Sequence, residues 1–292
     1  MKSVTGIEEP ESLRPEELKK LQSEILDLLV EFDRICRAGG IRYFLSCGTL
    51  LGAVRHHGFI PWDNDADVEM LREDYEKLVK LVPELIDSDH FFFQDSTTDP
   101  DYNWPYGKLR KKGTRYVRPG QAVLKQQDGI CIDVFVLDTM APGYFGQRFQ
   151  YFFTCFCRKV LWSSVGMTAL ESPFLRGVFR LLHLIPRNAA LRWYERVATW
   201  WRGQATGWLG FFNTGRSSAR SYAYRSSWYQ GDLSCEFEGH AFNIPNGYDE
   251  ILKVKYQDYM KLPPPEKRVG TSGAEYIRFS DGTEYHALQK EG

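Results

Sequence analysis

Three aspartates spaced two apart, Asp63, Asp65 and Asp67, follow a Pro61-Trp62 pair. Alternate side chains of an extended segment share a face, so the spacing predicts these acids on one side and Ala66, Val68 and Met70 on the other. Carboxylates stacked this closely repel. A fold tolerates the repulsion when a divalent cation sits among them or when one takes up a proton. Upstream, Gly48-Thr49 opens a short helix predicted from Leu50 to about His57, where free backbone N–H groups and the missing side chain give a phosphate a close approach. Acids on the next strand then hold Mg²⁺ against that phosphate and orient an in-line displacement. A calcium loop does not fit, because Val68 stands where the loop needs glycine and Asp74 where it needs a bidentate glutamate.

Further along, Asp133 lies inside the apolar run Gly129-Ile130-Cys131-Ile132-Asp133-Val134-Phe135-Val136-Leu137-Asp138. An acid in a central strand is costly to bury unless it is paired or faces a metal. Asp133 is therefore the candidate third carboxylate, as ligand or general base, against the alternative of a hydrogen-bonded structural aspartate; Asp138, at the strand end, reads as a turn residue. In Tyr106-Gly107-Lys108-Leu109-Arg110-Lys111-Lys112, alternation puts Lys108, Arg110 and Lys112 on one face, suited to a diphosphate, although a solvated hairpin explains the pattern as well. Arg55 and His57 at the end of the short helix are candidate substrate contacts. His56 and His57, being adjacent, point in different directions and do not suit one metal together.

These residues need a scaffold, and hydrophobic periodicity supplies one. Helices are predicted over Glu16–Arg37, stopped by Gly39-Gly40, over Arg72–Ile86, and over Tyr248–Tyr259 ahead of Leu262-Pro263-Pro264-Pro265. Strands are predicted at Ile41–Leu45, from Asp65, at Phe91–Phe93, as a pair within Tyr106–Val117, at Ile130–Leu137 and around Glu236–Ile244. The fold class is α/β (α+β), a mixed sheet flanked by helices. From Tyr144 to about Trp208 the pattern becomes helical, aromatic and arginine-rich. The organisation read from this is a catalytic core over 1–143, a basic aromatic helical insertion over 144–226, and a C-terminal segment over 227–292 that returns to the core.

Overall charge is balanced, 37 Lys and Arg against 38 Asp and Glu in 292 residues, yet the middle is not. Between Tyr144 and Ser227 stand Arg148, Arg158, Lys159, Arg176, Arg180, Arg187, Arg192, Arg196, Arg202, Arg216, Arg220 and Arg225 against only Glu171 and Glu195, which points to an anionic partner. Interleaved Phe149, Tyr151, Phe152, Phe153, Trp162, Trp193, Trp200 and Trp201 give the composition of a surface that meets anionic lipid or a lipid-linked glycan; a subdomain with core aromatics and solvated arginines has the same composition. No run reaches the roughly 18 apolar residues of a membrane span, and Met1-Lys2-Ser3-Val4-Thr5 leads into acids with no apolar signal region. The expected location is the cytoplasm, peripheral at the inner face of the membrane, with no nucleic-acid partner. Six cysteines in mostly apolar runs read as buried thiols, and Cys155-Phe156-Cys157 lacks zinc spacing.

The run Gly48 to Val68, with Gly129 to Phe135, Lys108-Leu109-Arg110 and Tyr256-Gln257-Asp258-Tyr259-Met260-Lys261-Leu262-Pro263-Pro264, resembles the LicD family. That resemblance implies a nucleotidyltransferase-type fold in which Gly48 and Thr49 match the Gly-Ser/Thr turn, Asp65 and Asp67 the metal-binding acid pair, and Asp133 the third acid. It implies Mg²⁺-dependent transfer of phosphocholine from CDP-choline to a sugar hydroxyl of a cell-surface glycan, such as lipopolysaccharide or teichoic acid, with release of CMP. The related fukutin-type proteins imply the alternative of ribitol or glycerol phosphate from another CDP-alcohol. An aromatic cage would mark choline, and Tyr102, Trp104 and Tyr106 are candidates for it or for core positions. Asn64 stands where family members commonly carry Asp, and Val136 where Pro is usual; alternation points residue 64 away from the acid face. A rival of another class is a non-catalytic membrane-surface or glycan-binding protein built on the basic middle.

Overall fold

The computed structural model describes residues 13–212, 222–231, 233–270 and 273–287. Arg216 and Arg220 of the basic segment, and the N-terminal residues 1–12, lie outside them. Helix α1 (Pro15–Gly39) begins with proline at its first position, where the missing N–H costs nothing, and Glu17 accepts the Arg14 backbone N–H at 2.9 Å. Leu21, Ile25, Leu28, Phe32 and Ile35 recur on its buried stripe, and Gly40, at φ 56°, ends it in the left-handed region.

After α1 come β1 (Phe44–Leu45), α2 (Cys47–His56), β2 (Asp67–Leu71), α3 (Arg72–Leu85), β3 (Phe91–Gln94), β4 (Gly107–Lys111), β5 (Arg115–Val117) and β6 (Cys131–Thr139). Four helices follow, α4 (Tyr144–Leu161), α5 (Ser163–Ala169), α6 (Pro173–His183) and α7 (Arg187–Ala198), then β7 (Trp208–Phe211) and β8 (Ala223–Arg225). The hairpin β9 (Leu233–Phe237) and β10 (His240–Ile244), helix α8 (Tyr248–Tyr256), β11 (Tyr276–Arg278) and β12 (Glu284–His286) complete the described chain. The central sheet runs β1-β2-β6-β4-β3. Strand β2 is parallel to β6, whereas β4 and β7 are antiparallel to it. The mixed α/β class expected from the sequence is the one observed. At nine residues β6 is long enough to carry β2 along one edge and β4 then β7 along the other. Its apolar positions Ile132, Val134 and Val136, with Val68 and Met70 of β2, are buried in the main core together with α1 and α3 residues.

Several local expectations are corrected. The acid strand starts at Asp67 rather than Asp65, because the Pro61-Trp62 turn leaves 63–66 irregular. Strands β4 and β5 are not a pair: both edges of β4 are taken, by β3 and β6, so β5 pairs with β11 instead. Asp138 is no turn residue; it lies in β6, buried, in a two-pronged ion pair with Arg72 at 2.8 Å for each contact. The helical insertion ends before 226, since β7 and β8 extend the central sheet through β6. Its aromatics divide between the two expected fates: Tyr151 is buried and stacked on Tyr222 at 4.1 Å, while Phe149, Phe152, Trp193 and Trp200 are exposed.

Candidate functional site

Register brings three candidate residues into one row. Asp67 of β2 stands opposite Asp133 of β6, and Asp133 opposite Lys108 of β4, so all three project from the same face of the sheet. The Lys108 ammonium donates to Asp133 Oδ1, and the Tyr106 hydroxyl donates to Oδ2 at 3.4 Å. Burial pushes the Asp133 carboxyl up, but Lys108 and Arg118 outweigh it and hold the group below the usual carboxylate range.

The turn before α2 is latched to the acid strand. Asp67 donates its backbone N–H to Thr49 Oγ1 at 2.8 Å, and its carbonyl accepts the Ser46 N–H at 3.0 Å. Gly48 permits close approach in the literal sense: a Cβ there would lie 2.6 Å from Asp63 Oδ2. Burial first, and then the neighbouring Asp65, push the Asp63 carboxyl up to about 8. Asp67 is pushed well above the ordinary range by burial, Asp65 and Asp133. Asp63, Asp65, Asp67 and Asp133 thus form one mutually repelling group. Asn64 is turned elsewhere, its amide donating to the Tyr116 hydroxyl at 3.4 Å.

Other candidates fall outside this group. Arg110 is buried and its guanidinium is engaged by Gln94 Oε1 at 2.5 Å and the Gly129 carbonyl at 2.6 Å. Lys112 donates to the Ser88 carbonyl at 2.5 Å. Arg55 is directed to the Tyr259 carbonyl at 2.6 Å. His57 is the exposed, left-handed C-cap of α2, at φ 55°, and lies at the opposite end of that helix from Gly48, roughly 13 Å away at the rise of an α-helix.

Three further residues join the site without having been singled out in the sequence. Glu69, two residues after Asp67 and on its face, accepts from the Ser46 hydroxyl at 2.6 Å and the Tyr229 hydroxyl at 2.7 Å. Alternation alone would have placed it there. Lys255 arrives from α8 with its ammonium 2.9 Å from Cys47 Sγ and 4.2 Å from the centre of the Phe211 ring; it opposes the upward shift of both Asp67 and Glu69. Arg118, just past β5, lowers Asp133. Nothing local in the sequence marks the last two, since α8 and the chain after β5 reach the acids only through tertiary packing.

Beside the row lies a cavity of about 300 Å³ lined by Tyr75, Trp104, Tyr106 and Tyr194 together with Glu76, Asp95 and Glu195 and with the cations Arg72 and Lys80. Trp104 and Tyr106 are stacked at 6.3 Å. Tyr102 is fully buried and belongs to the packing instead. Rings with carboxylates around them suit an organic cation.

Among the described residues no three His, Cys, Asp or Glu side chains are arranged to hold a metal ion unaided. Asp65, Asp67 and Asp133 are the residues that would hold Mg²⁺, a cation commonly bound by one or two carboxylates plus substrate phosphate oxygens. The charge repulsion among buried acids is the feature a cation would relieve.

A family model described as LicD/FKTN/FKRP, nucleotidyltransferase domain, matches residues 40–120. Residues 40–120 are thus similar to the LicD-family nucleotidyltransferase domain. The matched stretch contains the Gly48-Thr49 turn, Asp65, Asp67, Lys108 and Arg110, and stops short of Asp133. Over 272 residues the chain is 25% identical to the lipopolysaccharide cholinephosphotransferase LicD of Haemophilus influenzae, covering 85% of this chain and 93% of that one. Over 40 residues it is 50% identical to the ribitol 5-phosphate transferase FKRP of mouse and of human, a match that covers 14% of this chain and 8% of those.

Proposed function

We propose that this LicD-family chain transfers a phosphorylated alcohol, phosphocholine from CDP-choline, to a sugar hydroxyl of a cell-surface glycan. The row Asp67–Asp133–Lys108 behind the Gly48-Thr49 turn carries the reading, because it sets paired acids and a cation side by side on one face of the sheet. The acceptor oxygen attacks the phosphorus bearing choline, the bond from that phosphorus to the CMP oxygen breaks, the hydroxyl proton is released to solvent, and the products are a phosphodiester and CMP. Asp65 and Asp67 would hold Mg²⁺, which supplies neutralisation of the diphosphate charge. Gly48 lets the Asp63 carboxylate close against the turn, and Thr49 fixes the acid strand beneath it. Lys108 is placed to share its charge between Asp133 and the leaving phosphate. Asp133, held below the usual carboxylate range, is better suited to stay charged beside a cation than to take the hydroxyl proton.

The rings of Trp104, Tyr106, Tyr75 and Tyr194 support choline over a polyol, although Arg72 and Lys80 line the same cavity beside its carboxylates. The short, strong match to the ribitol 5-phosphate transferase favours a CDP-ribitol donor. We place the reaction at the cytoplasmic face of a membrane, where a lipid-linked glycan would be met. Among the described residues no helix is long and apolar enough to cross one. Incubation with CDP-choline, CDP-ribitol and CDP-glycerol, each with Mg²⁺ and a glycan acceptor, tests the assignment. CMP release confined to CDP-choline is expected; release from none of the three would remove the transferase reading.

A further inference from the structure

Helix α4 is built inside out. Its buried side carries Gln147, Gln150 and Thr154 beside Tyr151 and Cys157, and the polar groups are satisfied there. Gln150 accepts the Ala141 N–H at 2.7 Å and donates to the Val197 carbonyl at 3.1 Å, Gln147 donates to the Ala141 carbonyl at 3.0 Å, and Thr154 donates to the Gln150 carbonyl at 2.7 Å. The outward side carries Phe145, Phe149, Phe152 and Phe156, exposed by 85%, 52%, 55% and 37%. Steps of four, three and four residues keep these rings within roughly 60° of one another around the helix axis.

The stripe has cations and no acids. No Asp or Glu occurs between Tyr144 and Leu161. The Arg148 guanidinium lies over the rings of Tyr144 and Phe152, 5.4 Å and 5.0 Å from their centres, and exposed Lys159 flanks the same side. Trp200, 62% exposed, meets Phe149 edge-on at 6.4 Å and widens the patch. Water penalises four outward phenylalanines, and a neutral protein partner would not call for the arginine and lysine at their margin. An apolar stripe bordered by cations complements the headgroup and upper acyl layer of an anionic bilayer.

We propose that the outward face of α4, with Trp200, seats on a membrane containing anionic lipid. The proposal deepens the transferase reading by naming the surface on which an acceptor carried by lipid is met, and vesicle binding is measured without turnover, so either can fail alone. The same helix reaches the catalytic side: Arg158 donates to the Phe212 carbonyl at 2.8 Å and acts electrostatically on the Tyr106 phenol. A bilayer against the outer face would therefore lie one helix thickness, about 10 Å, from the wall of the site.

The test is sedimentation of the full chain with vesicles of phosphatidylcholine alone or mixed with phosphatidylglycerol. Binding to the mixed vesicles only, weakening as salt rises, is expected. The combined Phe145→Ser, Phe149→Ser, Phe152→Ser variant should bind at least about tenfold more weakly with an unchanged unfolding midpoint and unchanged CMP release from a soluble donor. If that variant does not fold, Arg148→Glu carries the test and should also lose binding. No sedimentation at low salt, equal binding to neutral vesicles, or full binding by a folded variant would overturn the proposal. So would a native dimer that the phenylalanine substitutions dissociate, which would make the face a contact between copies.

Discussion

At the acid face, buried Asp63 and Asp133 and half-buried Asp67 lie next to one another, and two of the three are pushed far above their ordinary range. On α4, phenylalanines are held in water while glutamines are buried. Both regions place side chains against their solvation preference, but only the first has its partners partly built in, through Lys108, Arg118 and Lys255. Charge can be buried by supplying most of the compensation within the fold, whereas an exposed apolar stripe is relieved only by an outside surface.

The largest effect should come from removing the acids. Asp65→Asn or Asp67→Asn should lower turnover by about a hundredfold or more, while Asp67→Asn raises the unfolding midpoint of the metal-free protein because the burial and neighbouring acids that penalise its carboxylate no longer act on it. Steady-state CMP release and thermal unfolding check the pair, and retained turnover in both variants would separate the acid face from catalysis. Next is Asp133→Asn. Turnover should again fall about a hundredfold, and stability should drop by about 3 kcal/mol because Lys108 is left buried without its carboxylate. Denaturant titration distinguishes this from Asp67→Asn, whose stability moves the other way.

A smaller effect concerns pH. The folded state keeps a proton on Asp63 that the unfolded chain releases, since the group moves from 3.8 to about 8 on folding. The metal-free fold is therefore most favoured below the lower value and loses stability as pH rises toward the upper one. Unfolding midpoints measured at pH 5 and pH 8 should show this loss, and Mg²⁺ with a CDP donor should remove it at pH 8. The smallest effects distinguish the sides of α4. Phe149→Ser should change stability by no more than about 0.5 kcal/mol, whereas Gln150→Ala, which leaves the Ala141 N–H and Val197 carbonyl unpaired, should cost about 2 kcal/mol. Equal costs would mean the helix is not inverted.

Much of the first region was legible in the sequence and little of the second. Alternation and a lone acid in an apolar strand found Asp67 and Asp133, and the same rule puts Lys108 on one face of its strand. The same alternation puts Glu69 on the acid face, where the Ser46 and Tyr229 hydroxyls donate to it. The partner strands were not legible: β4 and β5 look like a hairpin until the edges of β4 are seen to be occupied. Lys255 and Arg118 carry no local signal because long-range packing brings them in. For α4, composition gave aromatics and arginines but not their direction, since a phenylalanine repeat predicts a buried stripe and glutamines a wet one. Asp138 read as a turn because its partner, Arg72, is 66 residues away.

The proposed reaction requires the acid face to bind a divalent cation together with the donor's phosphates. Thermal unfolding with Mg²⁺, with CDP-choline and with both tests it most directly. A joint shift larger than the sum of the separate shifts, lost in Asp67→Asn, is the result expected. A joint shift equal to that sum, or one retained in Asp67→Asn, would contradict the account.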